Sequence, residues 1–201
     1  MCLKDLNAKL VSDFHIECLA NDNWPDNDLE NFEIGNYWFW IQKNHKYNCS
    51  LWDEEDLARR VDVSDREIAE NKRNIDGFNQ KRNDAIEKID EAILKNLVDI
   101  KVAESAWLNS ETCGSIIDRL SIISLKILHM GIQSERVDIS EKLIAEAKEK
   151  KERLIVQKAD LMLSLDRIFK GLVEGQIYYR VYRQFKMYND ANMNPYLSGL
   201  R

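Results

Sequence analysis

The sequence predicts an all-α fold: an antiparallel helical bundle with two long helices and a central apolar helix. Three observations carry this. Glycine (7) and proline (2) are scarce in 201 residues, so the chain lacks the frequent turns that sheets require. Residues 64–97 and the stretch from Glu141 onward keep apolar residues at helical spacing over many turns. Residues 115–130 (SIIDRLSIISLKILHM) are apolar nearly all round, as suits a helix enclosed by others. The expected organisation is a single helical domain over residues 1–201. It comprises an N-terminal helix and loop (1–35), a bundle core (36–189) and an extended tail (190–201).

The elements follow in order. Leu3, Leu6, Leu10, Phe14 and Cys18 lie on one side of a first amphipathic helix, 3–19. The polar stretch 20–33 holds Pro25 and reads as a loop. Residues 35–47 (GNYWFWIQKNHKY) restart a helix whose aromatic density, with Trp38 and Trp40, implies burial or a contact surface such as a homodimer interface. Asn48, Cys49 and Ser50 read as a break, with Ser50 capping a short helix 51–60. Ser64 and Glu67 form a capping box that opens the helix 64–97, which would span roughly 50 Å.

That helix carries Ile68, Ile75, Phe78, Ala85, Ile86, Ile89, Ile93 and Leu97 on its apolar stripe, and also Asn71, Asn79 and Arg82. Gly131 suits the end of the central helix. Asp138 with Glu141 reads as a second capping pair. The helix it opens bends at Gly171 and Gly175 and continues through Ile177, Val181, Phe185 and Tyr188.

Charge and composition exclude several classes. The net charge of -6 disfavours sequence-independent nucleic-acid binding. The balance is uneven: residues 141–201 hold 12 Lys+Arg against 8 Asp+Glu, so residues 1–140 carry -10. Cys2, Cys18, Cys49 and Cys113 include no C-x-x-C pair and read as reduced thiols of a cytoplasmic protein. Neither a signal peptide nor an apolar run long enough for a membrane span is present.

Five constellations carry possible chemistry. Asn79, Arg82 and Asn83 offer several fixed donors on a core-facing stripe, a combination suited to phosphate or sugar hydroxyls. The same residues also suit a structural network that sets helix register. Asp118 and Arg119 follow Gly114 at the start of the central helix, and a buried Asp118 needs a partner, for which Arg82 is the choice. Glu67 with Glu70, and Glu87 with Asp90, have the spacing of a Mg²⁺-binding all-α nucleotide hydrolase. The two pairs lie about 30 Å apart unless the helix breaks at Gly77, and Mg²⁺ enters only with this alternative. His45, Asn48, Trp52 and the acidic run 53–55 are able to line a cleft, but three histidines at no ligand spacing argue against a metal. The aromatic and basic run 178–188 reads as an amphipathic terminal helix.

Four blocks, QKNHKYNCSLWDEEDLARR (42–60), NKRNIDGFNQKRNDAIEKID (71–90), AWLNSETCGSIIDRLSIISLKILHM (106–130) and QFKMYNDANMNP (184–195), resemble a bacterial domain-of-unknown-function family, series number four-two-five-four. The resemblance runs from about residue 36 onward. It departs at Cys113, where the family has proline, and at Asp53, where it has histidine. It implies a gene context of glycosyltransferase and lipopolysaccharide genes, and no activity. The function expected is therefore a binding or accessory protein in surface-polysaccharide metabolism. It would hold a phosphorylated or sugar ligand, or a glycosyltransferase, through Asn79, Arg82, Asn83, Asp118, Arg119 and Trp52. The alternatives are the Mg²⁺-dependent hydrolase and a structural dimerisation module.

Overall fold

The computed structural model describes residues 6–199. It is an all-α bundle: α1 (Ala8–Leu19), α2 (Tyr37–Leu57), α3 (Asp65–Lys95), α4 (Cys113–Ser134) and α5 (Glu141–Val173). Leu3 and Cys2 lie outside the described residues, and the first helix begins where Asn7 caps it by accepting from the Leu10 amide at 2.9 Å.

Two hairpins make the bundle. In the first, α2 runs against α3, with Asn71 and Asn74 of α3 donating to the Glu54 carboxylate of α2 at 2.8 and 2.9 Å. Nearer the other end, the Lys81 ammonium lies over the Tyr47 ring. In the second, α4 packs along α5, and Lys151 of α5 covers Gly131 of α4. Ile89 and Ile93 of α3, Ile116, Ile117 and Leu120 of α4, and Leu165 of α5 are fully buried where the hairpins meet. α1 closes this core with Val11, Phe14 and Cys18.

Several boundaries differ from the sequence expectation, each for a local reason. The break at residues 48–50 is absent, and α2 is one helix of 21 residues. Asn48 finds tertiary partners and Ser50 bonds back to the Lys46 carbonyl, so neither competes with the helix. Gly131 lies inside α4, which continues to Ser134. Ser140, not Asp138, caps α5; Asp138 is held by Arg136.

α5 is helical through Gly171, ends at Val173 and does not resume. It ends in a Schellman turn: Gly175 at φ +68 donates to Leu172, and Gln176 donates to Gly171 at 2.8 Å. A Cβ on Gly175 would lie 2.3 Å from the Lys101 carbonyl oxygen, so this stop accepts only glycine. The run 178–188 is therefore not an α-helix, although Met187 and Tyr188 enter a single 3₁₀ turn that ends at Asn189. Tyr178, with Ile177 before it, forms a two-residue parallel ladder, β2 (Ile177–Tyr178) with β1 (Trp107–Leu108). Beyond residue 190 the chain is turned rather than extended, because Asp190 and Asn194 accept from backbone amides two residues on.

The start of α4 is locked to α3. Asp90 accepts from the Gly114 amide at 2.7 Å, and burial pushes its carboxyl up to about 6 against the hydrogen bond from Thr112. A Cβ on Gly114 would lie 2.6 Å from the Ile86 carbonyl oxygen. Gly77 by contrast is solvent-facing with nothing within 4 Å. Gly114→Ala is therefore expected to destabilise by about 1–3 kcal/mol through overpacking. Gly77→Ala should stabilise by roughly 0.8 kcal/mol through helix propensity. Urea unfolding of the two variants should shift in opposite directions.

Candidate functional site

The α2–α4 interface is polar. One turn of α2 presents Asn44, His45 and Asn48, and one turn of α4 presents Asp118 and Ser121; all five are buried. Asp118 Oδ1 accepts from Asn44 Nδ2 at 2.8 Å and Asn48 Nδ2 at 2.9 Å. Ser121 Oγ meets His45 Nδ1 at 2.7 Å and accepts from Asn48 at 2.9 Å. The Asp118 carboxylate is thus held by amides, not by Arg82, which corrects the expected ion pair. The bond is possible because Asn44 and Asn48 are successive turns of one unbroken helix.

Arg82 lies at the edge of this layer, half-buried, with its Nη2 only 3.4 Å from Asn83 Oδ1. Its Nε is buried without a partner, and among the described residues no carboxylate is within ion-pair distance. Two adjoining cavities meet at Arg82 and Asn79. One, of about 290 Å³, lies between α2, α3 and α4 and is lined by Asn48, Trp52 and Ile122 as well. The other, of about 390 Å³, lies between α3 and the C-terminal segment and adds Asp76, Asn83, Gln184 and Lys186. Trp52 is fixed by stacking on His129 at 4.2 Å, and its indole N–H is buried and unpartnered.

The C-terminal segment is clamped to α3. Arg183 pairs with Glu87 at 2.8 Å and also with Glu91, and the Gln184 amide donates to Glu87 at 3.0 Å. This clamp places Gln184 and Lys186 opposite Asn79 and Asn83.

Four expected site residues therefore gather at one cleft: Trp52, Asn79, Arg82 and Asn83. Asp118 stands behind it and orients Asn48. Arg119 is apart, exposed and paired with Glu111 at a separate groove between α4 and α5. The alternative carboxylate set does not converge, because α3 is unbroken at Gly77 and the four residues are engaged elsewhere. Glu67 closes the Ser64 cap, Glu70 pairs with Arg66, Glu87 holds Arg183, and Asp90 holds Gly114. Asn44, Ser121, Gln184 and Lys186 were missed. The recurrence of Asn44 and Asn48 one turn apart beside an aromatic run was the available signal for the first. Nothing local marks the tail residues.

A second buried set adjoins the layer. His15 of α1 packs its ring 4.5 Å from that of His45, with Cys18 and Cys49 a turn further along each helix. Burial pushes the Cys49 thiol up to about 12 and raises Cys18 further. Among the described residues no group of three or more His, Cys, Asp or Glu side chains is arranged to hold a metal ion. Burial also drives both imidazoles toward the neutral form, His45 down to about 3.

The fold and cleft define a class: an all-α protein with a polar, Arg- and Asn-lined cleft beside a buried amide–carboxylate layer. The chain belongs to the family described as protein of unknown function (DUF4254), whose family model matches residues 38–181. That span includes Trp52, Asn79, Arg82 and Asn83 and leaves α1 and the segment from Tyr182 onward outside it. Comparison with curated proteins and with solved structures finds no match. Among the described residues no helix is long and apolar enough to cross a membrane.

Two outcomes follow. Arg82→Ala breaks no ion pair, so it should cost no more than about 1 kcal/mol in urea unfolding. The histidine pair makes the fold acid-sensitive. Unfolded imidazoles take up protons near pH 6.5, whereas the buried ones stay neutral well below it. Their contribution is full above pH 6.5 and is lost as pH falls toward about 3, by up to about 1.4 kcal/mol per pH unit for each ring. His15→Leu, which removes a ring with no hydrogen-bond partner, should flatten the fall in midpoint between pH 6.5 and 4 relative to the wild type.

Proposed function

We propose that this chain is a binding protein for a phosphorylated sugar, held in the cleft around Arg82. The observation that carries the reading is Arg82 itself: a half-buried guanidinium with no carboxylate within ion-pair distance among the described residues, at the junction of two cavities whose linings combine the amides of Asn48, Asn79 and Asn83 with Glu55, Asp56 and Asp76. A desolvated cation without a counterion is matched by an anion, and guanidinium binds phosphate through paired N–H donors. Lys186 faces the same cavity and supplies a second positive charge. Asn79, Asn83, Gln184 and Asp76 line that cavity and offer both donors and acceptors, as sugar hydroxyls require. The Trp52 ring, stacked on His129, forms a rigid apolar wall.

The wider role follows from the gene context that the family resemblance implies: an accessory protein in surface-polysaccharide metabolism that hands a ligand to, or holds, a glycosyltransferase. Its setting is the cytoplasm, where sugar phosphates are made.

The test is a thermal-shift screen against phosphosugars, sugar nucleotides and unphosphorylated sugars, with and without Mg²⁺. A ligand at 100 times its Kd adds about 2.7 kcal/mol, a clear rise in midpoint. The rise should appear with phosphosugars, be independent of Mg²⁺ and vanish in Arg82→Ala. A shift that survives Arg82→Ala, or none with any phosphorylated compound, would overturn the reading.

A further inference from the structure

Away from the Arg82 cleft, the last turn of α1 and the facing stretches of α4 and α5 enclose a groove of about 430 Å³. Its surface is mainly apolar. Ile16 is 53% exposed, Leu128 38% and Ile132 50%, and all three line the groove together with Leu19. Apolar side chains of this size left open to water in one concavity are a feature of ligand sites.

The groove also has a charged side. Lys151 and Lys158, two turns apart on α5, both reach it. Among the described residues neither ammonium has a carboxylate within ion-pair distance; Asp13 acts on Lys158 only at longer range and is itself paired with Lys9. Lys158 is half-buried, and burial holds its ammonium below the usual range, so its charge is poorly compensated. Gly131 lets Lys151 cross α4: a Cβ there would lie 3.1 Å from the Lys151 Nζ. One carboxylate, Glu135, lies at the same groove, which leaves a balance of one positive charge.

We infer that the groove between α1, α4 and α5 binds a single-chain anionic amphiphile, an alkyl carboxylate. Its chain lies on Ile16, Leu19, Leu128 and Ile132, and its head is held by Lys151 and Lys158. The volume is within the range of small-molecule sites. The pairing of an open apolar floor with two ammonium groups against a single carboxylate is what selects an anion with a hydrocarbon tail over a sugar or a peptide.

The full chain would be titrated with dodecanoate below its micelle concentration, with dodecyltrimethylammonium and dodecyl maltoside as chain-matched probes. Dodecanoate should bind saturably at one equivalent and raise the unfolding midpoint, and the cationic and neutral probes should not. Replacing both lysines with methionine keeps the stems and removes the charges. It should weaken dodecanoate at least tenfold, about 1.4 kcal/mol. Ile132→Glu, at a half-exposed position, should abolish binding while leaving the ligand-free midpoint unchanged. Arg82→Ala should leave dodecanoate binding intact, which separates this groove from the cleft. Equal responses to all three amphiphiles would overturn the inference as adsorption to apolar surface. So would the absence of saturable dodecanoate binding, or a dimer in sedimentation that Ile132→Glu dissociates, since a second copy would then cover the groove.

Discussion

A buried carboxylate with no cation within ion-pair distance among the described residues is the constraint around which the two hairpins are assembled. Asp118 lies inside the α2–α4 interface, and Asn44 and Asn48 supply the hydrogen bonds that water would have given. A buried charge tolerates little displacement, because losing either amide leaves it partly desolvated and unpaired. The rotation and axial position of α2 on α4 are therefore tied to two oxygen atoms, Asp118 Oδ1 and Ser121 Oγ. Apolar contacts alone, such as Ile41 with its neighbours in the core, accommodate sliding by small repacking; an amide–carboxylate pair does not.

The cleft inherits that registration. Asn48 belongs to the buried layer and also lines the cavity, so the same bond that seats α2 aims one wall of the site. Four residues further along α2, Trp52 meets His129 of α4. From the other side, α3 brings Asn79 and Arg82 to the cavity because Glu54 holds Asn71 and Asn74 two turns earlier. The α2 and α3 walls are thus each fixed by polar contacts made along the same helix. α4 serves both candidate sites, giving Ile122 and Leu125 to the cleft and Leu128 and Ile132 to the amphiphile groove.

What was legible in the sequence was mostly what depends on one helix at a time. The 31-residue helix, its capping box and its apolar stripe follow from spacing and from Ser64 and Glu67, since these act within a few residues. Of the polar residues on that stripe, Asn79 and Arg82 line the cleft, whereas Asn71 bonds to Glu54. Partners were less legible. Arg82 and Asp118 form an attractive ion pair on paper, but the choice among Arg82, Asn44 and Asn48 depends on helix rotation, which no local pattern encodes. The apparent break at residues 48–50 had the same origin: Asn, Cys and Ser resemble a loop only when their tertiary bonds are unknown. The C-terminal run failed for the opposite reason. Its periodicity suits a helix, yet Gly175 meets the Lys101 carbonyl oxygen, and a contact across more than seventy residues overrules propensity.

The clamp between Arg183 and the two glutamates of α3 gives the protein parts of unequal attachment. The helices are joined by burial, which ions in solution barely affect. The segment carrying Gln184 and Lys186 is joined at an exposed surface, chiefly by charge, and such attraction fades over about 8 Å at physiological ionic strength. The cleft therefore has one rigid wall and one wall whose grip varies with the surrounding electrolyte. Raising the salt concentration therefore loosens the hold of that segment on α3 while leaving the bundle itself assembled.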